Sequence, residues 1–181
     1  MARMRNRPLF IVAPLAVAFA FTPLLIAADK PKDGGKRWSG EGISWELPEG
    51  WKLDDKPAPM RFATILIPAE PKPLQLTVSR FPGDVGGTLA NINRWRMQIG
   101  LPGVSEADLP KQIKEVDTAG GKASVADMEN PDTKQRLIGV ILPAGGQTWF
   151  FKLNGPSAAV APHKDKLTTF LKSVKVEGKK A

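Results

Sequence analysis

The chain has 181 residues, 42% of them hydrophobic, enough for one modest domain and too few for several. With no cysteine and a single histidine, it holds no disulfide framework, thiol nucleophile, thiolate metal site or histidine-rich metal cluster. Lys and Arg number 26 against 18 Asp and Glu, a formal charge of +8. No concentrated basic run accompanies that charge, so a dedicated nucleic-acid binder is not expected.

Residues 1–7 carry Arg3, Arg5 and Arg7 without an acid, residues 8–21 are almost wholly apolar, and Ile26, Ala27 and Ala28 form a small-residue exit. This three-part pattern predicts a secretory signal peptide over residues 1–28, cut after Ala28. The alternative is a retained membrane anchor of residues 8–28, uncharged and close to the roughly 20 residues that span a bilayer, although Pro14, Thr22 and Pro23 interrupt it. Either way the domain is expected outside the cytoplasm, periplasmic or secreted. Without the leader, 23 basic residues face 18 acidic ones, about +5. Residues 29–37, rich in charge, Pro and Gly, read as a flexible linker, residues 38–176 as a single domain and residues 177–181 as a frayed tail.

Along the domain, Ile43, Trp45 and Leu47 alternate with polar neighbours and predict a strand, and Pro48, Glu49 and Gly50 turn the chain before Trp51. Residues 61–67 form a second strand. A proline-rich connection leads to a third, in which Leu74, Leu76 and Val78 face one way and Gln75, Thr77 and Ser79 the other. Such alternation belongs to an antiparallel sheet with one solvated face. Gly86 and Gly87 precede a helix over residues 88–99, capped by Thr88, with Leu89, Ile92, Trp95 and Ile99 as its apolar stripe. Residues 105–114 read as a short helix capped by Ser105, with Asp108 at the capping-acid position. Gly120-Gly121 joins two strands, and residues 143–146 join two more, 135–142 and 147–153. Val160, His163, Leu167, Phe170, Leu171 and Val174 mark one face of a closing helix begun by Pro162. About seven strands linked by hairpins, with two main helices, make the class α+β.

The order of these elements, the Leu47-Pro48-Glu49-Gly50-Trp51 turn and the terminal Phe170-Leu171-Lys172-Ser173-Val174-Lys175 run resemble the PsbP-like α/β sandwich over residues 43–176. Members of that architecture include an extrinsic photosystem II subunit and a Ran-binding import factor. The resemblance implies binding rather than catalysis. It transfers no site residue, because none of the family's binding motifs is matched.

Among candidate sites, Asn91, Arg94 and Gln98 recur at spacings of 3 and 4 on the helix side taken to lie opposite the apolar stripe. One guanidinium and two amides could hold a carboxylate, a phosphate or sugar hydroxyls; the competing reading is an ordinary solvated face. Arg96, near the stripe, either snorkels over the core edge or pairs with a carboxylate. Gly86-Gly87-Thr88 lacks the lysine of a phosphate loop, and Asp84 would repel an anion. Asp127, Glu129 and Asp132 do not reproduce a calcium loop. His163 has no nucleophile or acid placed beside it by a motif. Trp45, Trp95 and Trp149 read as core, whereas Trp38 and Trp51 lie in or beside loops where they could stack on a sugar or rim a pocket, or else seal the core edge.

These features predict an exported, non-catalytic binding or structural protein, with Asn91, Arg94 and Gln98 as ligand-binding residues, no cofactor and no metal. Its partner would be an envelope protein or an anionic small molecule or polymer. Two alternatives stay open: a small envelope-polymer hydrolase using paired carboxylates, and an electrostatic binder of anionic envelope surfaces.

Overall fold

The computed structural model describes residues 37–177; the leader, most of the linker and residues 178–181 lie outside the described residues. Among the described residues, ten strands form two antiparallel sheets. The small one comprises β1 (Arg37–Gly40), β2 (Ile43–Glu46) and β10 (Lys175–Val176), in the order β1-β2-β10. Arg37, placed above in the linker, is thus the first residue of β1 and pairs with Glu46.

The large sheet contains β3 (Lys52–Leu53), β4 (Ala63–Ile67), β5 (Leu74–Pro82), β6 (Lys114–Thr118), β7 (Gly121–Asn130), β8 (Gln135–Ala144) and β9 (Gln147–Pro156), in the order β3-β4-β5-β9-β8-β7-β6. Hairpins dominate it, as the turn residues require. Gly145 and Gly146 both take positive φ, 63° and 72°, which the tight turn between β8 and β9 demands at its two central residues. The β7–β8 turn is closed by Asn130, whose Oδ1 accepts the Asp132 and Thr133 N–H groups.

Four helical segments complete the domain: α1 (Gly87–Gln98), α2 (Leu109–Gln112), α3 (Ser157–Val160) and α4 (Lys164–Ser173), with a 3-10 turn, Ala161–His163, between the last two. The closing helix therefore starts earlier than Pro162 and is broken by it, because proline supplies no N–H to the preceding turn. At α1, Gly86 in a left-handed conformation takes the cap position, and Asp84 Oδ1 accepts the Gly87 N–H at 3.0 Å. The predicted Thr88 cap is corrected accordingly. Ser105 and Asp108 do exchange hydrogen bonds, but the helix that follows is only four residues long.

Two cores flank the large sheet. On one face, α4 and the small sheet bury Ile43, Trp45, Trp51, Trp149, Phe151, Phe170 and their aliphatic neighbours. On the other, α1 lays Ile92, Trp95 and Ile99 over Ala126, Met128, Leu137, Ile141 and Phe150. The single solvated face predicted from β5 is thus half covered: β8 is buried on both sides over Leu137–Leu142, whereas Gln75 on β5 remains exposed. The covering helix needs Gly139, since a Cβ there would stand 2.3 Å from the Trp95 ring. Of their two readings, Trp38 and Trp51 take the core-edge one. Trp38 lies in β1 and stacks on Trp45 at 4.3 Å, and Trp51 is 4% exposed against Phe170. Among the described residues no helix is long and apolar enough to cross a membrane.

Candidate functional site

At α1 the structure moves the predicted polar stripe. Leu89 is only partly buried and belongs to neither core, so Ile92, Trp95 and Ile99 alone set the inward direction. At about 100° per residue, dropping Leu89 turns the buried face toward Asn91. Met97, 67% exposed, is the true outer pole. Asn91, Arg94 and Gln98 accordingly lie along the flank overhanging β9 and β5, and Asn91 is buried at 4% exposure. Its Nδ2 donates to the Val85 and Gly87 carbonyls, both at 2.8 Å, satisfying helix-entry acceptors. Arg96 occupies the opposite flank, donating to Pro102 O at 2.7 Å and Gln112 Oε1 at 2.9 Å, so the snorkelling alternative is the one observed.

Beneath the Asn91 flank runs a groove of about 370 Å³ between α1, the outer face of β5 and β9, and the 59–61 segment. Asn91 and Arg94 line it; Gln98 joins through its hydrogen bond to Lys152. Two further cations that sequence reasoning missed complete it, Arg61 and Lys152. The β5–β9 register sets Lys152 opposite Thr77 and Phe150 opposite Ser79, so the hydroxyls of Thr77 and Ser79 share the floor with an aromatic ring. Lys152 had a legible signal, a lone charge within the apolar 149–153 run; Arg61 had none.

Each groove cation is met by a neutral amide oxygen. Arg94 Nη1 donates to Asn91 Oδ1 at 2.9 Å, Lys152 Nζ to Gln98 Oε1 at 3.3 Å, and Arg61 Nη1 to Gln75 Oε1 at 3.2 Å. Among the described residues none of the three forms an ion pair, and no carboxylate lines the groove. Amides orient a cation without cancelling its charge. Burial first, and then the Arg61 charge, push the Lys152 ammonium below its ordinary value.

Across the sheet, a charge cluster of β7, β8 and α4 is neutralised. Arg136 grips both Asp127 oxygens at 2.7 and 2.8 Å and reaches Glu129 at 2.9 Å, while Lys164 lies 2.6 Å from Asp127. Burial raises the Asp127 pKa, but the Arg136 and Lys164 hydrogen bonds and charges outweigh it and hold the carboxyl below the usual range. Asp108 is lowered too, by Ser105 and then Lys111. A general acid needs the opposite shift. Burial also lowers His163, whose ring meets Trp51 edge-on at 6.3 Å and whose buried Nδ1 lacks a hydrogen-bond partner among the described residues. Among those residues no group of three His, Asp or Glu side chains is placed to hold a metal.

No protein-family model matches the sequence, and no curated protein matches it. Comparison of folds finds solved structures. The cyanobacterial PsbP, CyanoP, of Synechocystis sp. PCC 6803 aligns with a TM-score of 0.52 at 15% identity, over 81% of this chain and 98% of that one. A Bacteroides thetaiotaomicron protein aligns with a TM-score of 0.49 at 11% identity, over 80% of this chain, which spans about half (49%) of that protein. LpqN of Mycobacterium tuberculosis, involved in cell envelope biogenesis, gives 0.44 at 18% identity over 80% and 86% of the two chains. The fold is the PsbP-like α+β sandwich.

Proposed function

We propose that the protein is an exported, non-catalytic binding protein whose ligand is anionic and seats in the groove between α1 and the outer face of β5 and β9. The observation that carries this reading is the convergence of Arg61, Arg94 and Lys152 on one cavity, each held by an amide and none by a carboxylate. Arg61 and Arg94 are exposed and Lys152 is half-buried, so an incoming anion can reach three cations with no carboxylate to displace. Arg94 has donors left over after its Asn91 contact and offers them in a plane suited to a carboxylate or phosphate. Lys152 adds a point charge from the floor, and Gln98 holds that ammonium in place. Export rests on the N-terminal sequence pattern alone.

The test is calorimetric titration of the chain with inorganic phosphate and with a neutral oligosaccharide at low and physiological salt. Phosphate is expected to bind and the oligosaccharide not to. Arg94→Ala is expected to lower phosphate affinity about tenfold and Gln98→Ala about threefold, in line with charged and neutral hydrogen bonds respectively. Unchanged binding in both variants would remove the assignment. Affinity that tracks net charge but is indifferent to these two residues would favour the electrostatic surface binder instead.

A further inference from the structure

The groove has two chemically different ends, and the register separates them. Toward Thr77 lie Lys152, Arg61 and, across from them on α1, Gln98. Toward Pro82 the lining turns apolar: Phe81 packs edge-on to Phe150 at 6.0 Å and Phe150 meets Trp95 edge-on at 6.1 Å; on the 59–61 wall Met60 stands at the rim 82% exposed. Met60 is held out with φ at 59°, in the left-handed region, a conformation that costs energy for a long side chain and persists where surroundings or function require it. An inorganic phosphate displaces only a few waters of about 30 Å³ each and leaves most of the 370 Å³ unfilled.

Resting on the anion-binding reading above, the geometry points to a soluble amphiphilic anion as the ligand, its phosphate or carboxylate held by Arg61, Arg94 and Lys152 and its short apolar body laid along Phe81, Phe150 and Met60. The site is concave and closed on one side by α1, so it takes one molecule with one short tail. Charge complementarity selects the head and apolar contact selects the tail. A bilayer surface presents its charges in a plane, and the overhanging helix keeps the Lys152 ammonium, itself only partly exposed, from lying in that plane.

Octyl phosphate below its micellar concentration is the probe, with inorganic phosphate, octyl glucoside and anionic phosphatidylglycerol vesicles beside it. Octyl phosphate is expected to bind at least tenfold more tightly than phosphate, with octyl glucoside and vesicles much weaker. Met60→Asn suits the left-handed backbone and removes the thioether chain; it is expected to cut the ratio of octyl phosphate to phosphate affinity about threefold. Equal affinity for octyl phosphate and phosphate would overturn the amphiphile and leave the anion reading standing. Failure of both to bind would overturn the anion reading itself. Octyl glucoside or vesicles binding as well as octyl phosphate, or an octyl advantage untouched by Met60→Asn and by Phe81→Ala alike, would overturn the two-ended site.

Discussion

The two faces of the seven-stranded sheet solve the same burial problem differently. On the α4 face, an aromatic core closes the centre. Trp45, Phe170, Trp51 and Phe151 form a chain of ring contacts between 5.9 and 6.0 Å centred on Phe170, and the rim is tied by Arg80, which bonds Glu41 and lies over the Phe62 ring at 4.8 Å. On the α1 face, one helix covers β7, β8 and part of β9, stopping short of β4 and β5. Charges follow the same division. Arg80 has a carboxylate, whereas Arg61, Arg94 and Lys152 have amides. The closed face spends its residues on stability, and the half-open one keeps charge and surface available for a ligand.

Truncating the centre of the closed face is expected to have the largest effect. Phe170→Ala removes a fully buried ring and is expected to cost about 3–5 kcal/mol, read as a lower urea midpoint with phosphate affinity retained in the folded fraction. Next comes the contact that seats the half-open face. Gly139→Ala drives a methyl into Trp95 and is expected to cost about 1–3 kcal/mol while weakening phosphate binding, because Arg94 and Gln98 ride on the displaced helix. Retained affinity there would break the link between helix seating and site geometry.

Asp127 tests the neutralised charges. Its folded pKa is lowered, with burial opposing and Arg136 and Lys164 prevailing. Its contribution is therefore present above the unfolded carboxylate value of about 3.9 and lost as pH falls through the lower folded value. Asp127→Asn is expected to cost about 1 kcal/mol at pH 7, discounted because the pair is partly exposed, and the gap from the parent should close in strong acid. Lys152 has the opposite sign. Its folded pKa is depressed by burial and then by Arg61, so the charged form is penalised on folding and stability recovers as pH rises through the folded value toward the unfolded value of about 10.4. Lys152→Met is expected to raise stability by about 0.5–1 kcal/mol while abolishing phosphate binding. A destabilised variant with intact binding would reverse the reading of that face.

Much of this was legible because hydrophobic period and turn chemistry agree. The antiparallel sheet, the paired strands around residues 120–121 and 143–146, and the inward phases of Trp95 and Phe170 all follow from alternation, glycine turns and helical spacing. The α1 stripe shows the limit. Counting Leu89 as buried rotates the helix by a fraction of a turn, enough to send Asn91 to solvent when it is in fact buried, whereas Arg94 and Gln98 do lie exposed. Whether a leucine at a helix entry is covered depends on how far the sheet extends beneath it, which is a tertiary fact. Sequence left Trp38 and Trp51 between pocket rim and core edge for a related reason: β1 is only four residues long, and Trp51 is buried by α4, more than a hundred positions away in sequence. Arg61 reaches the groove only through the β4–β5 pairing, and no local pattern announces it.

The most direct test of the central claim is a titration of the isotopically labelled chain with inorganic phosphate, followed by nuclear magnetic resonance through the Trp95 indole and the backbone amides. The account predicts saturable shifts confined to α1 and to residues 59–61, 75–81 and 148–152, absent in Arg94→Ala. Shifts scattered over the surface, or none at the groove, would contradict it.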